Sequence, residues 1–197
     1  MKNTPPVYIL RHGQTEWNLA QRLQGSLDSP LTELGRAQAA VQGRLLRDVF
    51  AREQAEVVVS PLGRTRETAA IAMKGHALKA APRFDERIAE INAGDWEGLE
   101  RTEIARRWPL SREASCDFEY YIGAPNGEGV EALRSRCHDF LNELTVPTIL
   151  VTHGICSVML RGLLCGLDHE TMCALPLTQG CIFEIRGGEE QILQEAK

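Results

Sequence analysis

Three short stretches of this chain place an arginine or a histidine directly after an apolar, β-branched run. Arg11-His12-Gly13 follows residues 7–10, Ser60-Pro61-Leu62-Gly63-Arg64 follows residues 57–59, and Thr152-His153-Gly154 follows residues 148–151. If those runs are parallel strands of one sheet, their carboxyl ends converge on one edge, where open α/β folds bind ligands. Two histidines and two arginines then share one pocket, a costly gathering of cationic groups unless an anion neutralises it. Guanidinium forks match phosphate oxygens bidentately, so the implied ligand is a phosphate. The sequence carries no serine or cysteine nucleophile motif, no P-loop, and no carboxylate set spaced for magnesium. That leaves a histidine as the nucleophile. Neutral imidazole attacks phosphorus in line to give a phosphohistidine, nearby cations stabilise the equatorial oxygens, and water completes hydrolysis. The leaving alkoxide needs a proton, and Glu90, Asp95 and Glu97 are the candidate acids.

Positioning these groups requires alternating strands and helices. Helix-like stretches cover residues 31–50, 61–73, 130–144 and 155–164, between and after the three strand-like runs. Ser60 is expected to cap the second helix with Pro61 at its first position, which sets Arg64 one turn in. Residues 181–185 read as a late strand, paired with 191–193 around Gly187-Gly188. Residues 83–129, irregular and rich in Trp, Tyr and Gly, read as an insertion that covers the ligand site. The expected fold is α/β: a three-layer α/β/α sandwich with a mostly parallel central sheet, formed by a single domain over residues 1–197.

The composition agrees. At 197 residues and 43% hydrophobic, the chain is long enough for a sizeable core and too ordinary for a disordered or collagen-like protein. Its best apolar run, 155–167, is interrupted by Arg161 and falls short of the roughly 20 residues a membrane span needs. The opening MKNTPPVYIL lacks a signal-peptide apolar region, so a cytoplasmic location is expected. A net charge of -5 argues against nucleic acid or an anionic membrane as partner. The six cysteines include no C-x-x-C pair and are expected to be free thiols, mostly packing the core. On a continuous helix Cys165, His169 and Cys173 would share a face as zinc ligands. A fourth ligand is missing and Gly166 weakens the helix, so no metal is expected there.

RHGQTEWN, residues 11–18, resembles the signature of the histidine phosphatase superfamily in its phosphoglycerate mutase-like branch. QGSLDSPLTELGRAQA (24–39), SPLGRTRETA (60–69), EINAGDWEG (90–98), PNGEG (125–129) and VTHG (151–154) resemble the family's later blocks, in its order. The resemblance implies that His12 is the phosphorylated nucleophile, that Arg11 and Arg64 grip the phosphoryl oxygens, and that His153 is the second histidine of the pocket. It also implies Asn18 as a further donor, Gln24 and Gly25 on the rim, and Glu90 as proton donor and later base. Arg66, Asp95 and Glu97 are then structural, Trp17 and Trp96 pack the pocket walls, and Glu128 orders the rim. His76, His138 and His169 match none of the catalytic blocks.

The same pocket can pass the phosphoryl group to a sugar acid or to water. Cofactor-dependent mutases of the family follow the last histidine with Gly-Asn-Ser and place a tyrosine three residues after the acid, where this chain has Gly154-Ile155-Cys156 and Ala93. These departures favour a metal-independent phosphatase without a cofactor, acting on a small phosphorylated metabolite. A mutase and a non-catalytic phospho-ligand binding module are the alternatives. The sequence sets no oligomeric state, and a homodimer is compatible with it.

Overall fold

Residues 7–10 alternate between two buried faces, as a strand sandwiched by helices must. The computed structural model describes residues 4–195. Its strands are β1 (Val7–Arg11), β2 (Glu56–Val59), β3 (Arg83–Phe84), β4 (Thr148–Thr152), β5 (Ile182–Arg186) and β6 (Glu189–Leu193). They form one sheet in the order β3-β2-β4-β1-β5-β6. The first four run parallel, β5 lies antiparallel to β1, and β6 closes the hairpin on β5. The helices are α1 (Glu16–Leu19), α2 (Glu33–Arg52), α3 (Gly63–Ala72), α4 (Arg101–Arg107), α5 (Asp117–Ile122), α6 (Gly129–Asn142), α7 (Gly154–Cys165) and α8 (His169–Cys173). None of the described helices is long and apolar enough to cross a membrane.

Three layers follow from the side chains. Val7 and Ile9, with Val58, Leu150 and Phe183, pack against Phe140 of α6 and Met159 and Leu160 of α7. Tyr8 and Leu10, with Val57, Val59, Ile149 and Val151, pack on the other face against Leu46 and Val49 of α2 and Ala69 and Ala72 of α3. Each fully buried Val, Leu or Ile contributes about 1.5–3 kcal/mol, and these two faces hold the strand ends in register. The expected sandwich is therefore the observed architecture.

Several local expectations are corrected. The second helix starts at Gly63 rather than Pro61, its cap position is Leu62, and Arg64 is only its second residue. Ser60 does not cap it, because the hydroxyl is engaged by His153. The insertion contributes a strand of its own: β3 pairs in parallel with β2 and forms one edge of the sheet. The six cysteines are not all free thiols. Cys116 and Cys173, 57 residues apart, are joined as a disulfide because α5 and α8 bring their Cα atoms to 5.6 Å, whereas Cys137, Cys156, Cys165 and Cys181 are free. Gly166, at φ 66°, ends α7, so Cys165 does not continue the helix that carries His169 and Cys173.

The loop after β1 is fixed by contact of backbone on backbone. A Cβ on Gly35 would lie 2.0 Å from the carbonyl oxygen of Gln14, and one on Gly13 would lie 2.1 Å from that of Gly35. Thr32 supports the contact by capping α2 through Gly35 N–H and donating its hydroxyl to the Gln14 side chain. In an ordinary helix Gly→Ala gains about 0.5–1 kcal/mol. Here Gly35→Ala is expected to have the opposite sign, losing about 1–3 kcal/mol by overpacking. Urea unfolding checks this, and an unchanged or raised midpoint contradicts the contact.

Candidate active site

The ends of β1, β2 and β4 lie side by side, and His12, Ser60 and His153 follow directly from them. Several backbone amides there are paired across the strand ends. His12 N–H donates to Thr152 O, Ser60 N–H to Val151 O, and Gly13 N–H to the Thr68 hydroxyl. Gln42, wholly buried, donates from Nε2 to Arg11 O and Cys181 O. These bonds tie the loop that carries His12 to α2, α3 and the neighbouring strands.

His12 accordingly points inward. Its ring is 2% exposed, and Nδ1 sits 2.8 Å from Gly13 O, which requires Nδ1 to carry the proton and leaves the lone pair on Nε2. Arg64, 1% exposed, donates from Nε toward His12 Nε2 at 3.3 Å and His153 Nδ1 at 3.2 Å. The two imidazole centroids are 5.3 Å apart at 62°. His153 completes its pairing through Nε2, 2.7 Å from Ser60 Oγ. The remaining Arg64 nitrogens are held by Leu27 O, Gly25 O and the Asp28 carboxylate.

Burial, and then the charges of Arg64 and Arg11, push His12 well below the ordinary histidine value of 6.5, against the opposing pull of Gly13 O. Burial, Arg64 and then His12 push His153 the same way. Both rings are neutral at pH 7, the form in which an imidazole nitrogen has an electron pair to give. Burial also lowers Arg11 and Arg64, an effect the Glu90 carboxylate opposes. Arg11 donates from Nη1 to Leu177 O, while its buried Nε has no protein acceptor among the described residues. An unpaired buried N–H costs about 1–3 kcal/mol, so this group is suited to an incoming oxygen.

Glu90 reaches the same place by a different route. Its carboxylate accepts N–H bonds from Ile155 at 3.2 Å and Cys156 at 2.9 Å, at the first turn of α7, and from Ile91 at 3.1 Å. A helix N-terminus favours an acidic group, and this one begins directly after His153. The segment before Glu90 is braced by Arg136, which donates to Arg87 O and Ala89 O while paired with Glu128.

A cavity of about 500 Å³ lies beside these groups; Arg11, Asn18, Glu90, Gly154 and Ile155 are among its lining, while His12, Arg64 and His153 are buried behind it through their neighbours Arg11 and Gly154. Asn18 holds its Oδ1 on Thr15 N–H and Gln179 Nε2, so Nδ2 is the group it offers. The structure thus brings together His12, Arg11, Arg64, His153, Glu90 and Asn18. Gln24 is buried and Gly25 acts through its carbonyl on Arg64, so neither lines this cavity. Glu97 and Asp95 are structural: Glu97 accepts from Ser26 and Ala93 N–H, and Asp95 from Asn126.

The site also contains residues that the sequence reading missed. Ser60 reads in sequence as a helix cap, and Asp28 carries no signal of its own beside the glycine and serine around it. Gln179 donates to His12 O at 2.9 Å but had only the following Gly180 as a cue. Arg101, Asp117 and Tyr121, from the insertion, form the outer wall. Burial, and then the Glu90 charge, push the Tyr121 hydroxyl up to about 12, so it stays a neutral donor.

Comparison with known proteins agrees with this geometry. A profile of the histidine phosphatase superfamily (branch 1) matches residues 7–195. The protein named "Probable phosphoglycerate mutase GpmB" of Erwinia tasmaniensis is 34% identical over 166 residues, covering 82% of this chain and 75% of its own. The crystal structure of the alpha-ribazole phosphatase from Shigella flexneri superposes with a TM-score of 0.80 at 26% identity, over 96% of each chain. A mycobacterial glucosyl-3-phosphoglycerate phosphatase in complex with VO3 superposes with a TM-score of 0.79 at 27% identity, over 98% of each chain. In sequence, in topology and in the assembly of its buried histidines and arginines, this chain belongs to the histidine phosphatase superfamily, branch 1.

Proposed function

We propose that the chain is a phosphomonoesterase that transfers the phosphoryl group of a small polar metabolite to His12 and then to water, without a metal at the reaction centre. One observation carries the reading: the lone pair of a buried, neutral His12 is directed by Gly13 O toward the Arg64 guanidinium, beside His153. In-line attack by Nε2 forms the N–P bond as the ester P–O bond breaks. Arg11, Arg64 and Asn18 stabilise the charge on the equatorial oxygens. Glu90 protonates the departing alkoxide, then takes a proton from the water that hydrolyses the phosphohistidine.

Hydrolysis is favoured over mutase chemistry by the outer cavity. Arg101 there is paired with Asp117, and Arg22 with Gly98 O and Glu100, so among the described residues these outer cations are already compensated. A second phosphate or a carboxylate finds less free charge there than a neutral polar group does. Ala93, wholly buried, offers no hydroxyl.

The wild-type chain is expected to hydrolyse p-nitrophenyl phosphate in chelator-treated buffer, to be inhibited by vanadate, and to trap acid-labile phosphate on His12 in rapid-quench experiments. His12→Ala is expected to lose about four orders of magnitude in kcat or more. An inactive wild type that still binds phosphate would point to a binding module. Rapid interconversion of 3- and 2-phosphoglycerate with a bisphosphoglycerate primer would restore the mutase reading.

Glu90→Gln keeps the size of the side chain but cannot deliver a proton. It is expected to slow alkyl phosphates by about a hundredfold or more and p-nitrophenyl phosphate much less, because only the alkoxide needs protonation. Equal losses on both substrates would remove Glu90 from the role of acid.

The depressed histidines also set a pH dependence. Below pH 6.5 the unfolded chain binds protons at these positions and the folded chain does not, so stability rises with pH. The contribution is complete above 6.5 and falls by about 1.4 kcal/mol per histidine for each pH unit below it, down toward the folded values. Urea midpoints measured between about pH 5 and 8 should decline less steeply in His12→Ala than in wild type. Parallel slopes would show that His12 titrates normally in the fold.

A further inference from the structure

Away from the phosphate pocket, the insertion and the C-terminal part of the chain meet at a cluster that no step above uses. Cys116, the cap residue of α5, and Glu119 in its first turn face His169 and Cys173, which are one turn apart on α8. His169 Nε2 lies 3.0 Å from Glu119 Oε1 and 3.9 Å from Cys173 Sγ. The sulfurs of Cys116 and Cys173 and a Glu119 carboxylate oxygen all lie within 4.8 Å of one another. Four donors around a zinc ion, with Zn–S of about 2.3 Å and Zn–N or Zn–O of about 2.0–2.2 Å, stand roughly 3.3–3.8 Å apart. The His169 pairs bracket that spacing. To reach it the Cys116–Cys173 bond must open and the His169 ring must close on Cys116, because the group that already lies within 4.8 Å holds Cys116, Glu119 and Cys173 without His169.

We propose that Cys116, Glu119, His169 and Cys173 form a tetrahedral zinc site in the reduced chain, for which the disulfide seen here is the oxidised alternative. Two thiolates and an imidazole select a borderline-soft ion such as Zn2+ over magnesium or calcium. The donors are also oriented from behind. Glu119 Oε2 accepts Ser115 N–H at 2.8 Å and the Ser115 hydroxyl at 2.7 Å, which turns Oε1 toward His169. Cys116 Sγ accepts Glu119 N–H at the start of α5, which fixes the sulfur beside the Glu119 side chain's own backbone. Both His169 and Glu119 are solvent-accessible, with side chains 54% and 32% exposed, so an ion can enter.

The conversion balances. A dithiol or phosphine supplies two electrons and, with solvent, two protons to the disulfide, giving two thiols. Zn2+ then displaces both thiol protons to solvent and takes the lone pairs of His169 Nε2 and Glu119 Oε1, with no electron change at the metal. Hydrogen peroxide runs it backward: it takes two electrons from the two thiolates and two protons from solvent, becomes two waters, and leaves the disulfide and the released ion. Either closure ties α5 to α8, and α5 also carries Asp117 and Tyr121 of the cavity wall. The site would hold the wall of the active-site cavity and stand clear of the phosphoryl chemistry.

The test uses the full chain, reduced with a phosphine, freed of metal by chelator, and desalted. One Zn2+ per chain is expected to remain bound through a second desalting, and Co2+ in its place is expected to give the visible bands of a tetrahedral thiolate complex. Cys116→Ser and Cys173→Ser should each weaken binding by about a hundredfold or more, and His169→Ala and Glu119→Gln by about ten- to a hundredfold. Cys165→Ser should bind like wild type. The last three alter side chains outside the disulfide, so they keep the test decisive if a serine variant fails to fold. A reduced chain that retains no zinc, octahedral cobalt, or loss of the ion with Cys165→Ser would each overturn the site. Metal content is read independently of phosphatase activity, so the two proposals fail separately.

Discussion

The contact on which this structure depends is the Arg64 Nε–H, directed at once toward Nε2 of His12 and Nδ1 of His153. A guanidinium that is 1% exposed has lost its water and must find every partner within the fold. It takes the carbonyls of Gly25 and Leu27 and the carboxylate of Asp28 on its outer nitrogens, and two neutral rings on the inner one. The dependence is mutual. The arginine helps keep both imidazoles unprotonated, and unprotonated rings are the neighbours a buried cation tolerates. That balance holds only while three strand ends and the loop around Gly25 keep their places to within a fraction of an ångström. The close contact of Gly13 with Gly35, and the Gln42 amide bridging β1 to Cys181, are positional requirements of this kind.

The reactive residues were legible because strand pattern and chemistry coincided. Short β-branched runs ending in Arg-His, Ser-Pro and Thr-His could be aligned by the rule that parallel strands present ligands at their carboxyl ends. What could not be read was decided by tertiary partners. Ser60 has strong local capping chemistry, yet its hydroxyl serves His153 and the helix begins three residues later. β3 is two exposed residues with no apolar pattern, recruited only because β2 offers an open edge. The Cys116–Cys173 pair depends on α5 packing against α8, which no spacing rule contains. Gln179 acts through its amide on a backbone carbonyl, and such a role leaves no signature in residue type.

The proposed nucleophile and the proposed acid are supported by different parts of the fold. His12, Arg64 and His153 are set by strand ends and by the start of α3. Glu90 is set by the amides of α7 and by Arg136, which ties its approach segment to α6 and to Glu128. The outer wall, Arg101, Asp117 and Tyr121, belongs to the same insertion as Glu90. On the proposed reading, the residues that meet the leaving group therefore share a segment with the acid rather than with His12. On that reading a change in the insertion is expected to alter which alcohol is released while the proposed phosphoryl-accepting centre keeps its geometry. The pairing of Arg101 with Asp117 then has a direct consequence for selectivity. A wall whose cation is already neutralised selects by shape and hydrogen bonding, so on the proposed reading discrimination between leaving groups falls to the Tyr121 hydroxyl and the amides of Gln14 and Gln21 that share the cavity.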